Sequence, residues 1–447
     1  MSAAMIEQVR PHVGNLLERR AVGDSRPSIT IAIPGARMND ADIREVARRY
    51  LGVARLDPVM ARQVVKLSMG LPFYALEIAA ALGLVLLLVS CSERDYLADP
   101  PNRLSSFDLF EGDGATQHPV HGVVAYRINS QLFSDYAYKK RFIRLPEGLP
   151  AKYHPVDTFE LPVGTIIAKT FSYPRDFRDP SQGERLLETR LLIRGKEGWG
   201  GLTYIWNFKQ TDAFLEVAGS DIVASWIDLD GNIQANDYQI PNTNQCKQCH
   251  VKDGLMVPIG IRARHLNRNY TYESGEENQL DYWSRTGMLT HAPEGDKAPK
   301  LSDYEDPLSG TLEERARAWL EINCAHCHTP GGHSWNAGLD LMASQEDPML
   351  YGVYKSPTAA GRGTGGRYYD IVPGKPEDSI MLYRIESTEP DVAMPELGRS
   401  MVHKEGVALV VDDHPEGSTH GRSPAPGESA VSTGIPRVPF SRRLLSR

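Results

Sequence analysis

The chain has 447 residues, of which 41% are hydrophobic and 24% are charged, and its formal net charge at pH 7 is −8. This composition excludes an intrinsically disordered chain and a protein with many membrane spans. The acidic balance argues against a nucleic-acid-binding surface, which needs positive charge. A chain of this length is expected to form two or three domains.

The first 91 residues contain an apolar segment that ends in a cysteine. The run "GLPFYALEIAAALGLVLLLVSC" follows basic residues and ends at Cys91. This order is typical of a bacterial lipoprotein export signal, in which the cysteine is acylated after cleavage. We therefore predict a signal segment over 60–91, lipid attachment at Cys91 and a periplasmic or cell-envelope location. A single transmembrane helix is the alternative. Translation is expected to start near Met60 or Met69, which makes residues 1–59 a doubtful extension.

After a predicted tether over 92–105, residues 106–305 predict a β-rich domain. Runs of β-branched and apolar residues bounded by glycine and proline predict strands: "GTIIAKTFSY", "ETRLLIRG", "GWGGLTYIWN" and "IVASWIDLDGNIQANDYQI". In the last run, Asp230-Gly231 predicts a hairpin turn. The strand aromatics are expected to form the core, with cofactor packing as the alternative: Trp199, Tyr204, Trp206 and Trp226. Residues 260–310 predict a polar connecting loop with short helices.

Residues 306–411 predict an α-helical domain, so the fold class is α+β. In "TLEERARAWLEINCAHCH", Thr311 is the predicted N-cap and Glu314 completes a capping box. The helix continues into a cysteine pair. "PGKPEDSIMLYRIES" predicts a turn and a helix, and another helix begins at "HKEGVALV". Residues 412–447 lack periodicity and predict a disordered or aberrant tail.

Four of the five cysteines lie in two copies of one pentapeptide. "CKQCH" runs from Cys246 to His250, and "CAHCH" runs from Cys324 to His328. Cys-x-x-Cys-His is the attachment motif of c-type haem, because two thiols add across the porphyrin vinyl groups and the adjacent histidine reaches the iron. Two covalently bound haem c groups are therefore predicted. Their predicted attachment and iron-binding residues are Cys246, Cys249, His250, Cys324, Cys327 and His328.

Zinc is the main alternative cofactor, because two Cys-x-x-Cys pairs can form a Cys₄ site. Zinc-binding pairs are usually about 15–20 residues apart, whereas Cys249 and Cys324 are 75 positions apart. Zinc also gives no reason for a histidine after both pairs. A thioredoxin-like thiol pair fits the first motif less well still, because its histidine would lie between the cysteines and Cys246-Lys247-Gln248-Cys249 has none there. The motifs therefore favour haem.

A sixth iron ligand is predicted for the second haem only. Met394, in "AMPELGR", follows His328 by 66 positions on a loop stiffened by proline, which is typical of small mono-haem cytochrome domains. Plain core packing of Met394 is one alternative, and Met401 and then Met381 are the competing ligand candidates. The first haem has several candidates and a five-coordinate iron is equally open. These candidates are Met256, His265, Met288, His118, His121 and His154.

"GRGTGG", from Gly361 to Gly366, matches a dinucleotide-binding pattern. No strand is predicted before it and no helix clearly follows it, so we reject nucleotide binding. Arg362 and Arg367 are instead candidate partners for haem propionates.

Five blocks of the chain resemble a family of bacterial dihaem c-type cytochromes, whose members are predicted exported lipoproteins. The blocks are "ELPVGTIIAKTFSYPRDFRDPSQGERLLETRLLIR", "IPNTNQCKQCH", "INCAHCHTPGG", "AAGRGTGGRYYDIVPGKPEDSI" and "MPELGRSMVHKEGVAL". The likeness covers about residues 104–410. It implies two covalent haems on the motifs above and a class I cytochrome c-like second domain. After Val411 the chain departs from the family, which is expected to continue a C-terminal helix, and a frameshift there is our interpretation.

The predicted function is one-electron transfer by a dihaem c-type cytochrome in the bacterial periplasm or cell envelope. The expected partners are redox proteins, and a lipid anchor at Cys91 is expected to hold the protein to a membrane. The alternative is a haem enzyme with the first haem as its catalytic site, either a dihaem peroxidase or an oxidase of the P460 type. The strand "PVGTIIAKTF" is similar to the β-fold P460 cytochromes.

Overall fold

The computed structural model describes Ala41, Arg44 and residues 95–412. The chain divides into two compact units, Met1–Asp95 and Tyr96–Arg447. In the first unit, Ala41 and Arg44 are helical and exposed. The predicted export signal with Cys91 lies outside the described residues, as do most of the extension over 1–59 and the tail after Asp412. Within residues 95–412, no helix is long and apolar enough to cross a membrane.

A six-stranded antiparallel sheet is the largest element of the second unit, and its strand order is β1-β2-β4-β5-β6-β7. These strands are β1 (Val123–Tyr126), β2 (Tyr138–Arg144), β4 (Ile166–Pro174), β5 (Glu184–Gly195), β6 (Gly198–Trp206) and β7 (Ala213–Glu216). Three of the predicted strand runs coincide with β4, β5 and β6, so these predictions are confirmed. The mixed α+β class is confirmed as well.

The remaining strands form two-stranded sheets. They are β3 (Ala151–Lys152) with β14 (Leu289–Thr290), β8 (Ser220–Ile227) with β9 (Ile233–Ile240), β10 (Val251–Lys252) with β11 (Leu255–Met256), and β12 (Asn269–Tyr272) with β13 (Gly275–Asn278). The hairpin predicted at Asp230-Gly231 is confirmed by the β8–β9 pair, and Gly231 has the positive φ that its turn requires.

The helices lie mostly in the second half of the described chain. They are α1 (Thr243–His250), α2 (Ala263–Leu266), α3 (Gln279–Arg285), α4 (Leu312–Leu320), α5 (Pro348–Tyr351), α6 (Ile380–Glu386) and α7 (Lys404–Asp412). The predicted capping box at the start of α4 is confirmed: the Thr311 side chain accepts from the Glu314 N–H, and the Glu314 side chain accepts from the Thr311 N–H.

Residues 260–310 contain more structure than the sequence predicts. The short helices α2 and α3 are present, but so is the β12–β13 hairpin, which was not predicted. Buried polar side chains explain the difference. The Asn267 amide donates to the carbonyls of Gly295 and Ala298, and the Gln279 amide to those of Arg127 and Leu266. A polar stretch can therefore be ordered when its side chains satisfy buried backbone groups.

One hydrophobic core continues from the sheet into the C-terminal helices. It contains Tyr126 of β1, Ile143 of β2, Trp283 of α3, Trp319 of α4 and Leu409 of α7. Side chains from both sides of the predicted 305/306 boundary share this core, and the division into two domains there stays a prediction. The expected burial of the strand aromatics is confirmed for three of them, which are Tyr204, Trp206 and Trp226.

Helices α4 and α7 pack closely against each other at Gly406. A Cβ on Gly406 would lie 2.3 Å from the indole ring of Trp319, so only glycine allows this approach. The Trp319 indole N–H donates to Nδ1 of His403 at 2.8 Å. His403 in turn stacks on Phe133, with ring centroids 4.3 Å apart. A C-terminal helix is thus present over Lys404–Asp412.

Candidate functional site

Helix α1 places the three functional residues of the first motif on one face. The helix begins with a capping box in which the Asn242 side chain accepts from the Gln245 N–H, and the Gln245 side chain accepts from the Asn242 N–H. Cys246, Cys249 and His250 follow at spacings of three and four residues, which share a face of an α-helix. Two thiols and an imidazole therefore project on the same side.

The His250 ring is held by a backbone carbonyl. Its Nδ1 lies 2.8 Å from the carbonyl oxygen of Val257, which the β10–β11 hairpin brings back to α1. A hydrogen bond of this kind orients an imidazole and leaves Nε2 free to bind a metal. Burial lowers the pKa of His250 to about 4, so the ring is neutral at pH 7 and its lone pair is available.

The second motif follows α4 through a π-helical turn, Glu321–Ala325. The helix was predicted to continue directly into the cysteine pair, and the π turn is a local departure from that prediction, of the kind common at functional sites. Cys327 and His328 both donate their N–H groups to the Cys324 carbonyl, at 3.1 and 2.9 Å. Burial lowers the pKa of His328 to about 4. Its buried Nδ1 has no hydrogen-bond partner among residues 95–412.

Buried contacts hold the π turn in place. The Glu321 carboxylate lies 3.0 Å from Nε2 of His265 and 3.1 Å from Nε of Arg264. Burial alone would raise the pKa of Glu321, but the hydrogen bond from His265 and the charge of Arg264 outweigh it and lower the pKa to about 2. The Asn323 side chain accepts from the Phe133 N–H and donates to the Trp319 carbonyl.

The two motifs lie next to each other. Sγ of Cys249, Sγ of Cys327 and a ring nitrogen of His326 are all within 4.8 Å of one another. The Cys327 thiol also donates to the Gln248 carbonyl at 3.7 Å. Cys249 and Cys327 are 78 positions apart in the chain, so the fold and not the sequence spacing brings the motifs together.

A glycine pair allows this approach. The Asp253 N–H donates to the Gly331 carbonyl at 2.8 Å, and Lys252 forms a β-bridge with Gly332. A Cβ on Gly331 would lie 2.2 Å from the Asp253 carboxylate, and one on Gly332 would lie 2.5 Å from the Cys327 carbonyl. The loop that follows the second motif therefore packs against the hairpin that follows the first.

The thiols differ in acidity. A hydrogen bond between Cys249 and Cys327 lowers the pKa of Cys249 well below its usual range and raises that of Cys327. Burial raises the pKa of Cys246, and raises that of Cys324 to about 12. Cys249 is thus the thiol that ionises most easily, and Cys324 is a neutral thiol at pH 7.

One cavity adjoins the motifs. Its volume is about 120 Å³, or about 1070 Å³ when space open to solvent is included. The first wall combines the sheet with α1 and includes Lys169, Arg190, Gly201, Cys246, Cys249 and His250. The opposite wall comes from α4, the second motif, α6, α7 and the loop over 394–399. It includes Trp319, His326, Ile385, Met394, Arg399 and His403.

Met394 lies on the second wall, facing the same space as Cys246 and His250. Its N–H donates to the Arg384 carbonyl at 3.0 Å, and its carbonyl accepts from the Arg399 guanidinium. The backbone of Met394 is therefore held from both sides, which leaves the thioether directed by a rigid loop. Iron binding by Met394 stays a prediction.

Most predicted sixth ligands of the first haem have other surroundings. His118 and His121 are exposed and His154 is half-buried, and Nδ1 of His154 accepts from the N–H groups at 156 and 157. Nε2 of His265 lies 3.0 Å from the Glu321 carboxylate, and Met288 packs against the main core. Of these candidates, Met256 is the one that packs next to the first motif.

Met256 packs beside the first motif. Its methyl group and the Cys246 thiol both lie within 4 Å of the position that a Cβ on Gly201 would take. It precedes Val257, whose carbonyl accepts from the His250 ring, so it lies on the side of α1 where that ring is held. His326 shares the cavity with His250, and sequence reasoning missed it although it stands inside "CAHCH".

The two arginines expected to contact propionates are bonded elsewhere; Arg362 is exposed and Arg367 is half-buried. Arg362 donates to the Pro390 carbonyl at 3.0 Å, and Arg367 donates to the Glu377 carbonyl at 2.6 Å. Neither lines the cavity. The residues of "GRGTGG" form a 3₁₀ turn over Gly361–Thr364, without a preceding strand in this described segment.

Comparisons with protein-family models, with curated proteins and with solved structures find no match to this chain.

Proposed function

We propose that the protein is a dihaem c-type cytochrome that transfers electrons in the bacterial periplasm or cell envelope. The observation that carries this proposal is the contact between two Cys-x-x-Cys-His motifs that are distant in sequence, with Cys249 beside Cys327. Electron transfer falls steeply with distance, and cofactors attached to adjacent motifs would be close enough for rapid exchange.

The residues of both motifs fit haem. Each motif supplies two thiols and a histidine, on helix α1 in the first motif and at the end of the π turn in the second. Both histidines are neutral at pH 7, and the Nδ1 of His250 is tied to the Val257 carbonyl. Bound haem would supply reversible one-electron chemistry of its iron. The protein residues would hold the imidazoles in place, and the iron ligands together with burial would set the potentials.

The helices around the second motif support a class I cytochrome c-like arrangement. Helix α4 leads into the motif, α7 crosses α4 at Gly406, and Met394 lies on a loop between α6 and α7. In our proposal His328 and Met394 would both hold the iron of the second haem. The Arg399 contacts to the Met394 carbonyl would keep the thioether at a fixed position.

The test is a spectroscopic redox titration of the chain expressed with haem-attachment machinery in a bacterial periplasm. Cys246→Ala/Cys249→Ala and Cys324→Ala/Cys327→Ala should each halve the covalent haem per chain. Each variant should keep one reversible one-electron step. A wild-type chain without covalent haem would overturn the proposal.

A metal centre without haem is the second candidate, because Cys249, His326 and Cys327 form a ready three-ligand group. Zinc favours thiolate and imidazole ligands, and structural sites need a fourth. Metal analysis separates the two candidates: one zinc per chain that is lost in His326→Ala, with no covalent haem, would support the metal centre. Two haems with wild-type spectra in His326→Ala would support the cytochrome.

A further inference from the structure

The cavity face of the sheet contains a row of basic residues. The strand register aligns Arg141 of β2 with Lys169 of β4, and Lys169 with Arg190 of β5. Lys139 precedes Arg141 by two residues in β2 and lies on the same face of the sheet, because side chains two residues apart in a strand share a face. We refer to Arg141, Lys169 and Arg190 as the cationic row.

The cationic row has too few anions among the described residues. Arg190 pairs with the buried Glu188, whose carboxylate lies 2.8 Å from Nε and also accepts from the Tyr238 hydroxyl. Nη2 of Arg141 is buried without a hydrogen-bond partner. Burial that brings cations together normally requires matching negative charge.

Lys169 is the least satisfied member of the row. Its ammonium lies 4.7 Å from the ring centroid of Phe171, and it makes neither a hydrogen bond nor an ion pair within the described part of the chain. Burial, with repulsion from Arg141, Lys139 and Arg190, lowers its pKa well below the usual range. A lysine in this position gains most when an anion is bound next to it.

Lys169 and Arg190 line the cavity together with Cys246 and His250 of the first motif. From this geometry we infer that the cationic row is an anion-binding wall whose ligand is a carboxylate or a similar oxyanion. Two sources fit this chemistry: the propionates of the first haem, and a free small anion that enters the cavity. The first source rests on the proposed function, and the second does not.

The test measures Tm for Lys169→Met, which keeps the length of the side chain and removes its charge. The variant is made in the haem-loaded full chain and in the Cys246→Ala/Cys249→Ala chain, which lacks the first attachment site. Each protein is also titrated with sodium acetate at constant ionic strength. Lys152→Met is the matched control, since Lys152 is largely exposed and pairs with Glu160 at the surface.

If the ligand is a propionate of the first haem, Lys169→Met should change the Tm in opposite directions in the chain without the first haem and in the loaded chain. Lys169→Met should raise the Tm by about 2 °C or more without the first haem, because it removes a half-buried charge that lies beside Arg141 and Arg190. It should lower the Tm of the loaded chain, where the propionate would lose its partner. A free-anion site predicts a raised Tm in both forms, with a saturable acetate stabilisation that Lys169→Met abolishes.

The inference is overturned if Lys169→Met shifts the Tm equally in both forms and acetate acts alike on the parent and the variant. Haem content, measured on the same samples after denaturation and reduction, keeps this outcome separate from a failure of the proposed function. A chain without haem would remove the propionate source, and the acetate titration would still decide whether the wall binds anions.

Discussion

Cys249 and Cys327 belong to different motifs, yet their sulfur atoms lie within 4.8 Å of each other. This contact makes the two proposed cofactors neighbours and leads to a first prediction about their potentials. Two nearby irons interact electrostatically, by about 1 kcal/mol at distances on the order of 10–15 Å and an effective dielectric constant of ~20. Reduction of one iron should therefore make reduction of the other more difficult.

The measurement compares the wild-type titration with those of the two single-haem proteins, Cys246→Ala/Cys249→Ala and Cys324→Ala/Cys327→Ala. The separation between the two wild-type potentials should be wider than the difference between the single-haem potentials. A wild-type curve that equals the sum of the two single-haem curves would contradict the proposed proximity.

A second prediction concerns Met394. Met394→Ala removes the proposed thioether ligand, so the sulfur-to-iron absorption at the red end of the visible spectrum should vanish and the potential of that haem should fall. Met401→Ala is the control, because Met401 is partly buried but does not line the cavity. Repeating Met394→Ala in each single-haem background identifies the iron, and we expect the effect only where the second haem remains. A band that survives the substitution would rule out Met394 as a ligand.

A third prediction tests the crossing of α4 and α7. In an ordinary helix, replacing glycine by alanine stabilises by up to about 1 kcal/mol. At Gly406 the new Cβ would lie 2.3 Å from the Trp319 ring, so Gly406→Ala should lower the free energy of unfolding by about 1–3 kcal/mol instead. Gly260→Ala is a suitable comparison, since its Cβ would meet only Ile128 at 3.5 Å. Stabilisation by Gly406→Ala, measured by denaturant unfolding, would show that the helices do not pack in this way.

A fourth prediction concerns pH. Burial, with repulsion from Lys139, lowers the pKa of His403 to about 4, whereas an unfolded histidine has a pKa of about 6.5. The neutral His403 ring therefore makes its full contribution to the free energy of unfolding above pH 6.5. This contribution is lost as the pH falls towards 4. The loss between pH 7 and pH 5 should be about 2 kcal/mol.

His403→Gln isolates this contribution, because glutamine does not titrate and can still accept from the Trp319 indole. As the pH is lowered from 7 to 5, the unfolding free energy of the wild type should fall by about 2 kcal/mol more than that of His403→Gln. His121→Gln, at an exposed site, should show no such shift. A pH-independent difference for His403→Gln would mean that the ring is not buried in its neutral form.

Local features of the fold could be predicted from the sequence. The strands β4, β5 and β6, the β8–β9 turn at Gly231 and the capping box at Thr311 all depend on residues close together in the chain. The same holds for the two Cys-x-x-Cys-His motifs, whose thiols and histidines are close together in sequence.

Long-range relationships could not be predicted in this way. The contact between Cys249 and Cys327 depends on a glycine loop packing against a distant hairpin. The alignment of Arg141, Lys169 and Arg190 depends on strand register, and a shift by one residue would turn each of these side chains to the other face of the sheet. The ordered hairpin within 260–310 was missed because its stability comes from buried amides that look like loop residues.

Mass spectrometry of the chain produced in a periplasm with haem-attachment machinery tests the central claim most directly. The account predicts an intact mass increased by two haems, with one adduct on the peptide that contains Cys246 and Cys249 and the other on the peptide that contains Cys324 and Cys327. Unmodified thiols on both peptides of the folded protein would contradict it.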